Sequence, residues 1–283
     1  IDPKFCERFS GFFGSALIAG NFLSTYGIFS LFISILRFNK FRYNQVIFLI
    51  FFIIIVIAIV LSGERNAILS LLIIFSFNLI FNNEYRKKLS IIFSVFVLIF
   101  SVLFLNVNHI KYRYFDWPIS YIHSMQSDGI KKLFETSWGS HYVTAFEIHK
   151  NNKLFGSGFK SFRSECKKND YNYEKLNQKL NLNLKTSGCS SHPHNLYLEV
   201  LSELGIVGFT MFLVVLYFTI FHPFFKNFHL FIRNKEIIIL LSIVLTFIFP
   251  LRPTGSFSAS VFSTNMWFFI GFYLYFIRKL KYK

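Results

Sequence analysis

The segment His192-Pro193-His194-Asn195 contains the residues of this chain that are best suited to acid–base chemistry. An apolar stretch follows it directly, and Asn195 is a suitable N-cap residue for a helix that begins there. His194 then lies at the positive end of the helix, where the imidazolium form is disfavoured. A neutral histidine can accept a proton from an attacking hydroxyl, so we expect His194 to act as a general base. The alternative is a histidine that only closes the preceding loop.

Two arginines beside apolar segments are candidates for binding an anion. Arg65 lies in the very short turn Ser62-Gly63-Glu64-Arg65-Asn66, between two apolar runs. A charge so close to hydrocarbon is costly without a partner, and the guanidinium fork suits a phosphate or pyrophosphate. The alternatives are a salt bridge to Glu64 and contact with lipid headgroups. Arg8 precedes the first full apolar segment, where an arginine beside phenylalanines is also typical of membrane anchoring.

The chain has three cysteines, Cys6, Cys166 and Cys189. A disulfide between the last two would close a ring of about two dozen residues and stabilise the fold by about 3 kcal/mol. We expect this disulfide because both cysteines fall in a polar segment that is predicted to face an oxidising compartment. A metal site formed by Cys189, His192 and His194 is the alternative, although it lacks a second paired ligand motif.

Long apolar segments must position these residues. Hydrophobic residues make up 53% of the chain, 41 of its 283 residues are Phe, and the mean hydropathy is +0.47. A soluble domain of this length has no interior large enough for so much apolar surface. We therefore predict an all-α polytopic membrane protein with about seven membrane-spanning helices. The predicted spans are roughly 15–36, 45–62, 66–82, 89–106, 196–221, 236–251 and 260–277.

Basic residues divide the connections between these spans into two sets. The tail and the connections on its side hold thirteen Lys and Arg, whereas the opposite short turns hold only Arg65 and Arg252. This asymmetry places the C-terminal tail in the cytoplasm and the large polar segment on the outer side. The predicted domains are 1–106 with helices one to four, 107–195 as a periplasmic loop domain that contains short helices, and 196–283 with helices five to seven and the tail.

The large outer segment is basic. From Asn106 to Asn195 it holds thirteen Lys and Arg against seven Asp and Glu, a net charge of +6. Such a surface beside a bilayer attracts anionic headgroups or phosphorylated lipids, the alternative being a merely solvated loop. Ser137 to His149 has apolar residues at helical spacing and predicts an amphipathic helix. Gly156-Ser157-Gly158 predicts a tight turn, and the Asn-rich stretch from Tyr171 to Leu184 is predicted to be irregular.

These motifs resemble the O-antigen ligase and O-antigen polymerase superfamily of bacterial membrane glycosyltransferases. His194-Asn195, nine intervening residues and Gly205-Ile206-Val207-Gly208 match the family signature of the large periplasmic loop in full. Gly156-Ser157-Gly158 resembles the GxG motif that precedes the signature in many members. Ser62-Gly63-Glu64-Arg65 resembles the arginine-bearing turn of the family, and the segment from Arg8 to Gly14 resembles one that carries another arginine.

The resemblance implies transfer of a glycan from an undecaprenyl-pyrophosphate carrier to a hydroxyl acceptor, at the periplasmic face of the bacterial inner membrane. It implies a direct, inverting displacement without a metal, nucleotide or other cofactor. The acceptor is lipid A–core in a ligase and another lipid-linked repeat unit in a polymerase, and the complete signature favours the ligase. The residues expected to form or support the site are the catalytic His194 and Arg65, the substrate-binding Arg8 and Asn195, and the structural Cys166, Cys189, Gly205 and Gly208.

Other classes of protein remain as alternatives. A small-solute transporter predicts acidic or polar residues within the membrane helices, and Asn78 is the only obvious one in its helix. A protein O-glycosylating member of the superfamily and a non-catalytic membrane scaffold are two more. Because the family usually has about twelve helices and this chain starts at Ile1, we expect it to be the C-terminal part of a longer protein, without about five N-terminal helices.

Overall fold

The computed structural model describes residues 12–13, 18–31, 42–83, 86–129 and 131–281. All regular elements in these ranges are helical, and no strand occurs among them. The all-α class is therefore confirmed. The chain divides into two compact units. The first comprises Ile1–Ser120, Asn227–Thr246 and Phe272–Lys283, and the second comprises Tyr121–Lys226 and Phe247–Gly271.

The longer helices follow the apolar runs of the sequence and begin and end within about five residues of the predicted spans. In chain order the helices are α1 (Ala19–Phe22, continued by the π-helical Leu23–Gly27), α2 (Arg42–Leu61), α3 (Arg65–Phe81), α4 (Arg86–Asn106), α5 (Asn108–Lys111, continued by the π-helical Tyr112–Asp116), α6 (Trp117–Asp128), α7 (Lys131–Phe134), α8 (Ser137–Asn151), α9 (Phe162–Glu165), α10 (Tyr173–Leu180), α11 (Leu196–Leu216, continued by the π-helical Tyr217–Phe221), α12 (His222–Lys226), α13 (Phe228–Arg233), α14 (Lys235–Phe247) and α15 (Ser260–Lys281).

Aromatic side chains fill the interior of the first unit. Phe52 of α2 and Phe75 of α3 are at most 2% exposed, and their rings meet edge to face with centroids 6.2 Å apart. Phe96 of α4 stacks on Phe75 at the same centroid distance. These three rings explain why three consecutive apolar helices pack together, since each aromatic side chain removes a large apolar area from solvent.

One polar contact joins two helices inside this apolar unit. Asn78 of α3 is fully buried, and its Nδ2 donates a hydrogen bond of 2.9 Å to Oγ of Ser242 on α14. The same Nδ2 also donates to the carbonyl of Ile74, one turn earlier. The polar group that the sequence singled out in α3 therefore has a structural role, because it connects two helices that are far apart in the chain.

Two helices of the described chain are long and apolar enough to cross a membrane, Arg86–Asn106 and Leu196–Lys226. Val46–Leu61, Arg65–Phe81 and Glu236–Phe247 are also apolar but shorter. Much of α4 is exposed, as at Leu98 and Leu105 with 63% and 78% of the side chain accessible. The topology with about seven spans stays a prediction.

The second unit is built around the amphipathic helix that the sequence predicted. This helix, α8, starts after Thr136, whose side chain accepts a hydrogen bond of 2.8 Å from the backbone N–H of Gly139. Its apolar face packs against α9 and the segment that follows α9; the cluster consists of Ala145, Ile148, Phe162, Cys166 and Tyr171. Residues 156 and 158 form the predicted tight turn, with positive φ angles of 71° and 111° at the two glycines.

The expectation of irregular structure from Tyr171 to Leu184 is wrong. Helix α10 occupies Tyr173–Leu180; Asn172 caps its start, and Asn181 ends it in the left-handed conformation. Leu176 is buried against Val143 of α8. The many polar residues of this stretch lie on the exposed face of a helix that buries few apolar side chains, which is why composition alone missed it.

Ion pairs connect α10 to α8. Glu147 of α8 is 1% exposed and pairs with Lys150 and Lys179 at N–O distances of 2.6 Å each. Burial alone raises the pKa of the Glu147 carboxyl, but the hydrogen bonds and charges of the two lysines outweigh burial and lower that pKa. Lys179 belongs to α10, so these two lysines of the basic outer segment have a structural role.

Candidate active site

Asn195 and the backbone around it hold the His192–Asn195 segment in place. The Asn195 side chain accepts hydrogen bonds of 3.1 Å from the backbone N–H groups of Tyr197 and Leu198, which confirms the predicted N-cap. Its Nδ2 donates to the carbonyl of Pro250 at 2.9 Å. His194 has a φ of 57°, a strained conformation for a residue with a side chain. The carbonyl of His194 accepts a hydrogen bond of 2.9 Å from Thr254 N.

The early end of α14 makes these contacts possible. The sequence predicted a helix to residue 251, but α14 ends at Phe247. Pro250 disfavours helical conformation in the residue before it. The carbonyls of Ile248 and Pro250 are therefore free of the helix, and they accept hydrogen bonds from the Tyr197 hydroxyl and the Asn195 amide. The segment after α14 thus holds the start of α11.

Three aromatic rings surround the His194 imidazole. Its centroid lies 4.1 Å from the His192 ring, 4.7 Å from the Trp138 ring and 5.1 Å from the His141 ring. Trp138 and His141 come from the first two turns of α8. Their residue types and spacing did not mark them as site residues. Their place on the amphipathic helix was visible in the sequence, but nothing there indicated contact with a segment more than 50 residues away.

Burial keeps the His194 imidazole neutral. Burial first, and then charge repulsion from the neighbouring His192 and His141, together lower the pKa of His194 to about 4. The pKa of His192 is lowered as well, chiefly by burial, although Glu199 and the hydrogen bond to Thr254 act in the opposite direction. The expectation of a neutral imidazole stands, but the principal cause is loss of water and not the helix end.

Hydrogen bonds assign the protons on two of the histidines. His141 Nδ1 lies 2.8 Å from the carbonyl of Gly188, and a carbonyl only accepts, so the proton is on Nδ1. In the same way His192 Nε2, 3.2 Å from the carbonyl of Thr254, carries a proton, and His192 Nδ1 lies 2.9 Å from the Ser191 hydroxyl. Within the part of the chain that the structure describes, no hydrogen bond reaches either ring nitrogen of His194. His194 is thus the histidine of this cluster with both ring nitrogens available to a substrate, whereas His141 has a hydrogen bond at Nδ1 and His192 has one at each nitrogen.

Two glutamates of α11 hold the loops that flank the histidines. Glu199 is 1% exposed and accepts hydrogen bonds from the Phe257 and Ser258 backbone N–H groups, at 2.8 and 3.2 Å. It also accepts from the Ser256 and Ser258 hydroxyls. Glu203 accepts hydrogen bonds of 2.8 and 3.1 Å from the N–H groups of Lys160 and Phe162. These carboxylates position backbone segments, and among the described contacts neither reaches the His194 ring.

The structure contains the expected disulfide between Cys166 and Cys189, with the Cα atoms 5.1 Å apart. Gly188, the residue before Cys189, supplies the carbonyl that orients His141. The disulfide therefore connects α9 to the backbone beside the histidine cluster. Because the Cys189 sulfur is in a disulfide, it is not a thiolate ligand for a metal with His192 and His194. Among the residues described, no group of three His, Cys, Asp or Glu side chains is arranged to hold a metal ion.

Arg65 belongs to the first unit. Its guanidinium carbon lies 4.1 Å from the centre of the Trp117 ring, a cation–π contact. The preceding Glu64 is 4% exposed and accepts hydrogen bonds of 2.8 and 3.1 Å from the N–H groups of Gly20 and Asn21. Arg113 donates to the carbonyl of Gly63 at 3.2 Å. The turn that carries Arg65 is thus fixed on both sides, which prepares the guanidinium to meet an anion without large rearrangement.

Two further arginines, Arg252 and Arg8, are relevant to the site. Arg252 of the second unit is 6% exposed and lies between Pro250 and Thr254, both of which contact the His192–Asn195 segment. In the sequence, Arg252 contributed only to the charge asymmetry that predicts the topology. Its burial next to the histidine segment is the property that sequence did not reveal. Arg8 lies outside the described residues, and so does Cys6.

Comparison with known proteins identifies the family of the chain. A family model described as O-antigen ligase matches residues 50–213, more than half of the chain. The matched range contains the Arg65 turn, the disulfide, the histidine cluster and the Gly205-Ile206-Val207-Gly208 motif. No curated protein and no solved structure matches the chain significantly. From the family match, the chain belongs to the O-antigen ligase family and is a membrane glycosyltransferase of the O-antigen ligase and polymerase type that uses lipid-linked glycans.

Proposed function

We propose that this protein transfers a glycan from an undecaprenyl-pyrophosphate carrier to a hydroxyl of lipid A–core, at the periplasmic face of the bacterial inner membrane. The protein crosses the membrane about seven times, with its tail in the cytoplasm and residues 107–195 outside. The observation that carries the proposal is the half-buried, neutral His194, which has neither ring nitrogen in a hydrogen bond with the described residues, whereas His141 and His192 each bond to a backbone carbonyl through one nitrogen. The family match supports a reaction of the ligase and polymerase type, and the complete signature from His194 to Gly208 favours the ligase.

The reaction is a single displacement at the anomeric carbon of the donor sugar. The acceptor oxygen forms a bond to that carbon from the face opposite the pyrophosphate. The bond between the carbon and the pyrophosphate oxygen breaks, and the lipid pyrophosphate leaves with the electron pair. His194 takes the proton of the acceptor hydroxyl. Because attack and departure occur on opposite faces, the configuration at the anomeric carbon inverts.

The leaving group needs fixed positive charge, which Arg65 supplies. Charge that develops on the pyrophosphate is stabilised by donors held in position beforehand. The cation–π contact with Trp117 and the buried Glu64 beside it hold Arg65 in this way. Arg8 is proposed as a second phosphate-binding arginine, and Asn195 as a substrate-binding residue next to the base. In this proposal guanidinium groups meet the pyrophosphate charge, and no metal or nucleotide takes part.

The test is a transfer assay with the purified chain in lipid vesicles that contain a lipid-linked glycan and lipid A–core. Replacing the base with His194→Ala should lower the rate by about 10²- to 10⁴-fold. His123→Ala is the matched control, because His123 is an exposed histidine of α6. A wild-type rate in the His194 variant would exclude His194 as the base, and no transfer by the wild-type chain would favour a scaffold function.

The proposed leaving-group role is tested in the same assay. Arg65→Ala should lower the rate by about 10²- to 10³-fold while the protein still inserts into membranes, whereas Arg65→Lys keeps part of the activity. Arg163→Ala, at an exposed arginine of α9, is the control. An assay with lipid-linked glycan as the only substrate distinguishes the two possible acceptors. A ladder of products formed without lipid A–core contradicts the ligase and identifies a polymerase.

A further inference from the structure

Helix α11 is broken at Gly205, and a neighbouring loop repairs the break. Gly205 has φ 65° and ψ −169°, so the backbone leaves the helical conformation for one residue. After the break, the N–H groups of Ile206 and Val207 donate to the carbonyls of Lys153 and Leu154, at 2.9 and 3.2 Å. Before it, the carbonyls of Ser202 and Glu203 accept from Ser157 and Gly158, at 3.0 and 2.8 Å. Residues 153–160, called the 153–160 loop below, are therefore fixed to the helix through the main chain.

The 153–160 loop exposes large apolar side chains although it is firmly held. Leu154, Phe155 and Phe159 are 61%, 74% and 62% exposed. A cluster of this kind on a rigid loop marks a contact with another apolar phase or molecule. Ile206 and Val207 of α11 lie directly beside this loop and are 45% and 40% exposed. The apolar surface of the loop is thus continuous with the apolar surface of the helix.

The distribution of charge along α11 shows where this helix changes its surroundings. Glu199 and Glu203 lie before the break and are buried by hydrogen bonds to protein. From Leu204 to Phe225 there is no Asp, Glu, Lys or Arg, and Lys226 ends the apolar stretch. The 21 residues from Ile206 to Lys226 measure about 31 Å as a helix, close to the roughly 30 Å of a hydrocarbon core. The break therefore coincides with one edge of the membrane-crossing part.

We propose that the 153–160 loop inserts Leu154, Phe155 and Phe159 into the lipid leaflet that surrounds the outer end of α11. The flanking Lys153 and Lys160 are both exposed, and they lie where phosphate headgroups would meet them. Continuity with the surface of α11 and this charge complementarity identify a lipid bilayer as the partner. The inference rests on the membrane embedding proposed above and is independent of the chemical step.

This contact has a consequence for the donor. The nine residues from Leu196 to Leu204 separate the break from the histidine segment by about 14 Å along the helix axis. A headgroup layer is about 5–8 Å thick on each side of the hydrocarbon core. This length is sufficient for His194 to lie beyond the headgroups, at the height of the first sugars that a membrane-bound pyrophosphate would carry.

The experiment places a fluorescent nitrobenzoxadiazole label on single cysteines of the full chain, in a Cys6→Ser background. The labelled positions are Phe155→Cys in the loop, Met211→Cys on α11, where the side chain is 67% exposed, and Lys175→Cys on α10. The protein is placed in phosphatidylethanolamine–phosphatidylglycerol vesicles that contain lipids with nitroxide groups in their acyl chains. We expect position 155 to lose fluorescence to the same extent as position 211, and position 175 to lose none.

Each other outcome overturns a defined part of the inference. Quenching at 211 without quenching at 155 excludes lipid contact by the loop and leaves the membrane crossing intact. No quenching at 211 removes the membrane crossing of α11 and the loop contact with it. Quenching at 175 as well shows that lipid contact is not specific to the loop. The same labels in the His194→Ala chain should give the same pattern, so failure of the proposed chemistry does not affect the result.

Discussion

The ring centroids of His192 and His194 lie 4.1 Å apart, and His194 is the histidine of the cluster with neither ring nitrogen in a hydrogen bond among the described residues. Because the pKa of His194 is lowered to about 4, the imidazole stays neutral far into the acid range. We expect the transfer rate to change little from about pH 7 to pH 5, whereas an ordinary histidine base with a pKa of about 6.5 would lose most of its activity there. The pH profile of kcat/KM measures this.

A variant of His192 tests whether the neighbouring ring contributes to the lowered pKa of His194. His192→Gln removes the charge repulsion that lowers the pKa of His194, so the acid limb should move to higher pH. Folding stability should also depend on protonation of His194. In the unfolded chain this histidine binds a proton below about pH 6.5, whereas in the folded chain it does so only near pH 4. Stability is therefore expected to fall as the pH drops from about 6.5 to 4. An acid limb centred near pH 6.5 in the wild-type protein would contradict the buried, neutral histidine.

The disulfide should contribute both stability and activity. Replacing both cysteines, with Cys166→Ala and Cys189→Ala, should lower the free energy of unfolding by about 3 kcal/mol, since the link restricts the unfolded chain. Transfer should slow as well, because Gly188 beside Cys189 orients His141. Thermal unfolding in detergent, with and without a reductant, measures the first effect. Cys6→Ala is the control variant, and equal unfolding temperatures for the double variant and the wild type would refute the prediction.

The break in α11 should tolerate no side chain at Gly205. A Cβ atom there would lie 2.3 Å from the Leu154 carbonyl oxygen and 2.5 Å from Gly156 N, on a residue with φ +65°. We expect Gly205→Ala to lower the free energy of unfolding by about 2–4 kcal/mol. Gly271→Ala is the matched control, because a Cβ on this helical glycine of α15 meets nothing within 4 Å. It should raise stability by about 0.5–1 kcal/mol; a change of the same sign in both variants would contradict the structure.

Glu199 should be needed to hold in place the backbone segment after α14, which contacts His192. Glu199→Ala leaves the buried N–H groups of Phe257 and Ser258 without their acceptor, and we expect a loss of about 2–4 kcal/mol. Glu199→Gln keeps one acceptor oxygen and should lose less. Hydrogen exchange at these two amides is the direct readout, since it should speed up in the alanine variant more than in the glutamine variant. Unchanged protection in both would show that the carboxylate does not hold this segment.

The sequence predicted the helices because hydrophobicity and helical spacing are local properties. Helix α8 was expected from its apolar spacing, and the N-cap role of Asn195 from residue type alone. Helix α10 was missed because its polar face dominates the composition, and the early end of α14 was missed although Pro250 was visible. The first error concerns burial against another part of the chain, which local patterns do not contain, whereas the second concerns a local signal, the proline itself.

The candidate site was predictable only in part, for the same reason. His194, Asn195 and Gly205 follow a motif, so the sequence pointed to them. Trp138 and His141 reach His194 only because α8 packs on the start of α11 and the disulfide fixes the backbone at Gly188. The sequence also attributed the neutral histidine to the helix end, whereas burial in this cluster is the main cause. Desolvation depends on the complete fold, and no spacing rule reports it.

The hydrogen bond between Asn78 and Ser242 has a consequence for motion during turnover. In a hydrocarbon environment no water is at hand to replace a lost polar partner. Sliding either helix by one turn, about 5.4 Å, would leave both side chains without this contact. This hydrogen bond therefore opposes sliding of the two helices past each other, and we expect them to move together during substrate entry or product departure.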